Sequence, residues 1–209
     1  MIAFLIRLVT GVTARWVDFD PGDPACAPQR VFFANHASNL DGPVIWASLP
    51  KECRRNTRPV AARDYWLGGP IRRYLSQRVF KCVLVERKKI TPSNNPLREM
   101  EAALEGGASL IIFPAGTRSE ADAAGVAVGE FRPGLWHLSK KHSNAQFVPV
   151  YLENLNRILP KGEFLWIPLL AAVRFGRPME LIAGEPKQAF LDRAKAIIEK
   201  LKADGAANA

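Results

Sequence analysis

The chain has 209 residues, 48% of them hydrophobic and 23% charged, and a formal net charge of +9. That length suits one domain with a sizeable buried core, and the composition excludes low-complexity, repeat and fibrous classes. The basic residues fall in scattered pairs (Arg54-Arg55, Arg72-Arg73, Lys88-Lys89, Lys140-Lys141) without zinc-finger or RNA-binding spacing, so nucleic acid ranks below an anionic substrate or an anionic membrane as their partner, with a merely solubilising surface as the plainer alternative.

Residues 1–17 are apolar, with Arg7 and Arg15 the only charges. The unbroken apolar part is too short for a spanning helix, which needs about 20 residues. A basic leader and a cleavage site, the marks of a signal peptide, are missing. On a helical wheel Phe4, Leu5, Leu8, Val12 and Trp16 share one face. That predicts a helix which either lies in a membrane interface or packs on the core. The expected division is an N-terminal interface helix over residues 1–20 and a main domain over 21–205.

After a turn-rich connector at 20–24, residues 31–34 (Val-Phe-Phe-Ala) read as a buried strand and 41–49 as a helix. Residues 58–62 are a second strand, 71–78 a short basic helix and 79–85 a third strand ending in Glu86-Arg87-Lys88-Lys89. A helix is expected from about residue 94 to 104, with Pro96 in its first turn and Gly106-Gly107 at its end. Residues 108–113 are the clearest buried strand, followed by the turn Pro114-Ala115-Gly116-Thr117-Arg118-Ser119 and a small, polar loop over 120–129. A helix follows Phe131-Arg132-Pro133-Gly134 through His142; then come a strand over 146–152, a Pro- and Leu-rich stretch over 153–171, a strand over 172–176 and a helix over 187–202. Strands alternating with helices predict a single α/β domain with a mostly parallel central sheet flanked by helices. Sites in such folds gather at the carboxyl ends of the strands.

Three polar turns follow three apolar strands. In the first, His36 and Asp41 can meet: a carboxylate on one ring nitrogen leaves the other available as a base. A lone His followed by Asp is also a common structural pair. A Ser-His-Asp triad through Ser38 lacks any Gly-x-Ser-x-Gly elbow. His137 and His142 lack carboxylate partners at metal-ligand spacing. In the other turns Arg87, and Gly116 with Thr117 and Arg118, suit an anion; a solvated loop is the bland alternative. Cys26, Cys53 and Cys82 form no disulfide framework and fit a reducing compartment, with Cys82 expected in the core.

His36-x4-Asp41, an apolar run ending in Arg87, Phe113-Pro114-Ala115-Gly116-Thr117-Arg118-Ser119 and Val148-Pro149-Val150, in that order, resemble the glycerolipid acyltransferase family, in particular its 1-acylglycerol-3-phosphate acyltransferases. The resemblance spans residues 31–178 and includes the segments Phe131–Gly134 and Phe175–Pro178. It implies transfer of a fatty acyl group from acyl-CoA or acyl carrier protein, as co-substrate, to a lysophospholipid hydroxyl. No cofactor and no metal are implied. His36 would deprotonate the hydroxyl, Asp41 would orient the imidazole, and Arg87, Gly116, Thr117 and Arg118 would hold the acceptor's phosphate. The implied partners are membrane lipids, at the cytoplasmic side of a membrane and as a peripheral protein. One departure stands out: the family usually has Glu where this chain has Ala115. It leaves the acceptor open between 1-acylglycerol-3-phosphate and a lysolipid with another head group, such as an amino-acid-linked one. It also keeps open a non-catalytic lipid-binding protein of the same fold.

Overall fold

The computed structural model describes residues 1–17, 29–87, 90–91, 94–116, 128–153, 155 and 171–206. Its strands are β1 (Thr13–Trp16), β2 (Arg30–Ala34), β3 (Thr57–Ala62), β4 (Val83–Val85), β5 (Ser109–Ile112), β6 (Gln146–Glu153) and β7 (Ala172–Phe175). They form one sheet in the order β1-β7-β6-β2-β5-β3-β4. All neighbours are parallel except β6 and β7, which run antiparallel. The described helices are α1 (Ile2–Thr10), α2 (Asp41–Ser48), α3 (Lys51–Asn56), α4 (Arg63–Trp66), α5 (Pro70–Tyr74), α6 (Pro96–Glu105), α7 (Gly134–Lys141) and α8 (Lys187–Ala206), with a π turn over Leu75–Val79. The chain is thus an α/β domain with a mostly parallel sheet between two helical layers.

Strand β2 shows why. All five of its residues are buried, and alternate side chains point to opposite faces. Val31 and Phe33 join the core under α6, α7 and α8, with Leu104, Leu135, Leu138 and Ile198. Phe32 and Ala34 join the core under α2, with Val44, Ile45 and Leu49. A continuous apolar strand is what a sheet covered on both faces requires.

The N-terminus departs from the single helix expected over residues 1–17. Helix α1 stops at Thr10, where Gly11 takes a left-handed conformation (φ 57°), the usual device for ending a helix. The chain then enters the sheet as β1, and Trp16 stacks on Phe175 at 4.2 Å. Val12 and Trp16 pack on the core beneath α2, while Phe4, Leu5 and Leu8 of α1 stay exposed. Cross-chain pairing with β7 outweighs the helical periodicity of this stretch.

The strand expected over 79–85 is also shorter. The helical stretch after α5 loosens into the π turn, with the Cys82 N–H donating to the Ser76 carbonyl at 2.7 Å. Lys81 takes a positive φ of 49°, so only Val83–Val85 is left to pair with β3. Phe80 instead packs edge-on against Trp46 and Trp66. The connector 20–24, Cys26 and most of the loop expected over 120–129 lie outside the described residues.

The end of β2 is tied to the sheet by Asn35. Its side chain donates to the Leu152 carbonyl at 3.0 Å and accepts from the Leu152 N–H at 2.8 Å. Asn35→Ala leaves both backbone groups buried and unpaired, at a cost of about 2–4 kcal/mol. Urea unfolding is expected to show that loss as a lower midpoint at unchanged slope; a midpoint equal to wild type would contradict it.

Candidate active site

Parallel strands put the turns that follow them on one edge of the sheet. The turns after β2, β3, β4 and β5 begin at Asn35, Arg63, Glu86 and Phe113. Residues from them line one cavity of about 610 Å³, including His36, Arg87 and Gly116. The rest of the lining is largely apolar, with Trp66, Phe80, Leu97, Met100 and Leu135 among it. Its volume lies within the usual range for small-molecule sites.

His36 and Asp41 meet as expected. Asp41 is the first residue of α2 and is fully buried. Its Oδ2 lies 2.8 Å from His36 Nδ1 and accepts from the N–H groups of Ala37 at 2.7 Å and Ser38 at 2.8 Å. The turn therefore closes around one carboxylate oxygen, and an acid in the first turn of a helix also suits the helix dipole. The His36 ring stacks on Phe113, with centroids 4.3 Å apart and planes 22° apart. Held between Asp41 and Phe113, the imidazole has one orientation. With a proton on Nδ1 for the carboxylate, the unprotonated Nε2 can accept a proton from a hydroxyl in the cavity.

Arg87 lines the same cavity but is not a lone cation: its Nη2 donates to both Asp64 carboxylate oxygens, at 3.1 and 3.3 Å. Both partners are substantially exposed, so the pair is a weak one that an incoming phosphate can replace. Asp64 is contributed by the turn after β3, 23 residues upstream of Arg87. Thr117 and Arg118 lie outside the described residues.

Gly116 lies against Arg132, which no motif marks as a site residue. Its φ of 76° favours glycine, and a Cβ there would stand 2.8 Å from Arg132 Nε and 2.9 Å from Arg132 Cζ. The Arg132 guanidinium thus lies directly on the turn, while the residue's backbone N–H donates to the Pro114 carbonyl at 3.0 Å. Arg132 lines the cavity, and among the described residues its side chain has no acidic partner. The spacing from Gly116 to Arg132 follows no local period, so the only sequence signal was the segment Phe131-Arg132-Pro133-Gly134.

Cys82, expected in the core, is half-buried and contributes to the cavity wall just before β4. Burial pushes its thiol up to about 12, so it is held as the neutral thiol near neutral pH. Among the described residues no group of three His, Cys, Asp or Glu side chains is placed to hold a metal ion.

A sequence profile of the acyltransferase family matches residues 25–153. No curated protein matches the chain in sequence. Among solved structures, the crystal structure of the 1-acyl-sn-glycerophosphate (LPA) acyltransferase PlsC from Thermotoga maritima superposes with a TM-score of 0.75. It is 16% identical, and the match covers 99% of this chain and 77% of that one; at that identity the likeness is one of fold.

A neutral thiol reacts slowly with alkylating agents. Iodoacetamide at about pH 8 is expected to leave Cys82 largely unmodified in the folded protein and to modify it fully after denaturation, as read by peptide mass spectrometry. Rapid modification of the folded protein would contradict the raised value.

Proposed function

Because the chain belongs to the acyltransferase family, its profile covering 129 of the 209 residues (25 to 153), we propose that it transfers a fatty acyl group from acyl-CoA or acyl carrier protein to the hydroxyl of a lysophospholipid, with 1-acylglycerol-3-phosphate as the leading acceptor and phosphatidic acid as the product. The observation that carries this reading is the His36–Asp41 pair, at 2.8 Å, set in a cavity that also presents arginines and a large apolar wall. A base, an anion site and an apolar wall are the three things an acylated phosphate ester with a free hydroxyl needs.

In this reading His36 Nε2 takes the proton from the acceptor hydroxyl as its oxygen attacks the thioester carbonyl. Asp41 holds the resulting imidazolium. The tetrahedral intermediate collapses by breaking the carbon–sulfur bond, and the imidazolium returns the proton to the leaving thiolate, giving ester and free thiol. Acceptor phosphate sits between Arg132 and Arg87, exchanging with Asp64 at the latter. Thr117 and Arg118, next to Gly116 in the sequence, are proposed to add to the phosphate site. The acyl chain lies along the apolar wall. Cofactor and metal have no step in this scheme.

The proposed location is the cytoplasmic face of a membrane, as a peripheral protein. Helix α1 supports it: Phe4 and Leu8 are 70% and 66% exposed, while Arg7 Nε donates to the Ala47 carbonyl at 2.7 Å and holds the helix on the domain. An apolar helix face and a net charge of +9 suit an anionic bilayer surface. Among the described residues no helix is long and apolar enough to cross a membrane.

A second acceptor is favoured by Ala115, whose methyl group offers acceptor hydroxyls nothing to bond. A lysolipid with a different head group, such as an amino-acid-linked one, is therefore the alternative substrate, and a screen of acceptors with one acyl thioester separates the two.

Thiol release from a long-chain acyl thioester is expected to need a lysolipid, and to fall by about 10²–10⁴-fold in His36→Ala. Release by His36→Ala at the wild-type rate would remove His36 from the chemistry. No release by wild type with any acceptor would leave a lipid-binding protein. Arg132→Ala is expected to raise the acceptor KM by about tenfold or more while kcat changes little; an unchanged KM would take Arg132 out of the phosphate site.

A further inference from the structure

Among the described residues the most exposed large apolar side chains gather mainly on two segments. One is α1. The other is α5, where Ile71 is 75% and Tyr74 60% exposed. Core packing explains why the chain returns at this point, but not why its outer face is apolar. Phe80 anchors the segment inward, against Trp66 and against Trp46 of α2. Outside those anchors Ile71 and Tyr74 flank Arg72 and Arg73, and Arg78 and Lys81 follow. No acidic residue occurs between Asp64 and Glu86. Arg72 lies over the Tyr65 ring at 4.7 Å, and none of these four cations meets a carboxylate among the described residues.

The place of the segment in the fold gives this pattern a meaning. Phe80 of the segment and the residues flanking it, Tyr65, Trp66 and Cys82, line the cavity that holds His36, so the segment adjoins the cavity wall. Helix α2 braces both exposed patches, through Ala47 to Arg7 of α1 and through Trp46 to Phe80.

We infer that residues 70–81 form a second membrane-contact surface, made for an anionic lipid bilayer, that seats the cavity wall on the same membrane as α1. Ile71 and Tyr74 enter the boundary between head groups and acyl chains, as an aromatic and an aliphatic side chain at an interface do. Arg72, Arg73, Arg78 and Lys81 meet the lipid phosphates, each basic residue adding to the attraction. A single short amphipathic contact holds a protein only reversibly, and two contacts together hold it stably. The inference rests on the acyl-transfer reading in one respect: it lets lysolipid pass between the bilayer and the cavity without crossing water. A bilayer fits better than an acidic protein partner because the lysolipid and acyl chain proposed for the cavity partition into it.

The test is flotation of the full chain with vesicles of phosphatidylcholine, with and without phosphatidylglycerol, run beside thiol-release assays using acyl-CoA and acyl carrier protein. Ile71→Ser/Tyr74→Ser is expected to weaken binding to the anionic vesicles by about tenfold or more, comparably to Leu8→Ser on α1. Arg72→Gln/Arg73→Gln is expected to reduce the preference for anionic over neutral vesicles. Ile71→Trp is expected to tighten binding, which guards against a loss caused by misfolding. Wild-type vesicle binding in the first two variants, or unchanged binding in Ile71→Trp, overturns the inference. So does a result in which the arginine variant binds vesicles normally but requires more acyl carrier protein, since the patch would then be a protein dock. If the wild type releases no thiol with any acceptor while these variants still lose vesicle binding, the acyl-transfer reading fails and this surface stands.

Discussion

The site depends on one carboxylate oxygen. Asp41 Oδ2 takes the His36 ring nitrogen and the backbone N–H groups of Ala37 and Ser38, all within 2.8 Å. Those contacts close the turn between β2 and α2, start the helix and orient the imidazole. Upstream, Asn35 fastens the same turn to β6 through both backbone groups of Leu152. The imidazole is therefore placed by backbone geometry on a central strand, with little freedom left to the side chain. Groups meant to act on a substrate benefit from that kind of support, because preorganisation is set before the substrate arrives.

Parallel pairing supplies the rest. Because β2, β3, β4 and β5 run the same way, the turns after them share an edge and deliver His36, Asp64, Arg87 and Gly116 from four distant parts of the chain. The cations differ in state. Arg87 is held by Asp64, whereas Arg132 lies on the Gly116 turn with no acidic partner among the described residues. On the proposed reading Arg87 must exchange one partner, Asp64, for another, whereas Arg132 has no such partner to exchange among the described residues.

What the sequence made legible follows from how local each feature is. The buried strands at 31–34, 108–113 and 146–152, and the helix after Asp41, announce themselves by apolar runs and by their breaks. The His36–Asp41 contact spans five residues and one turn, so spacing alone brings it within reach. The features that escaped are made by pairing across the chain. Strand β1 exists because Thr13–Trp16 finds β7, more than 150 residues away, and its own residues are largely exposed. The π turn follows from the Cys82–Ser76 bond and the inward turn of Phe80, neither of which a run of apolar residues reveals. Asp64 carries no local mark and Arg132 only the segment Phe131–Gly134 around it: each becomes a site neighbour only when the fold sets it beside another turn.

The central claim is that Asp41 makes His36 a base for acyl transfer, and Asp41→Asn tests it most directly. The amide keeps the size of the side chain and removes its charge. Thiol release from an acyl thioester with a lysolipid acceptor, measured on protein whose circular dichroism matches wild type, is predicted to fall by about a hundredfold or more, with the acceptor KM little changed. Turnover at the wild-type rate in that variant would contradict the account.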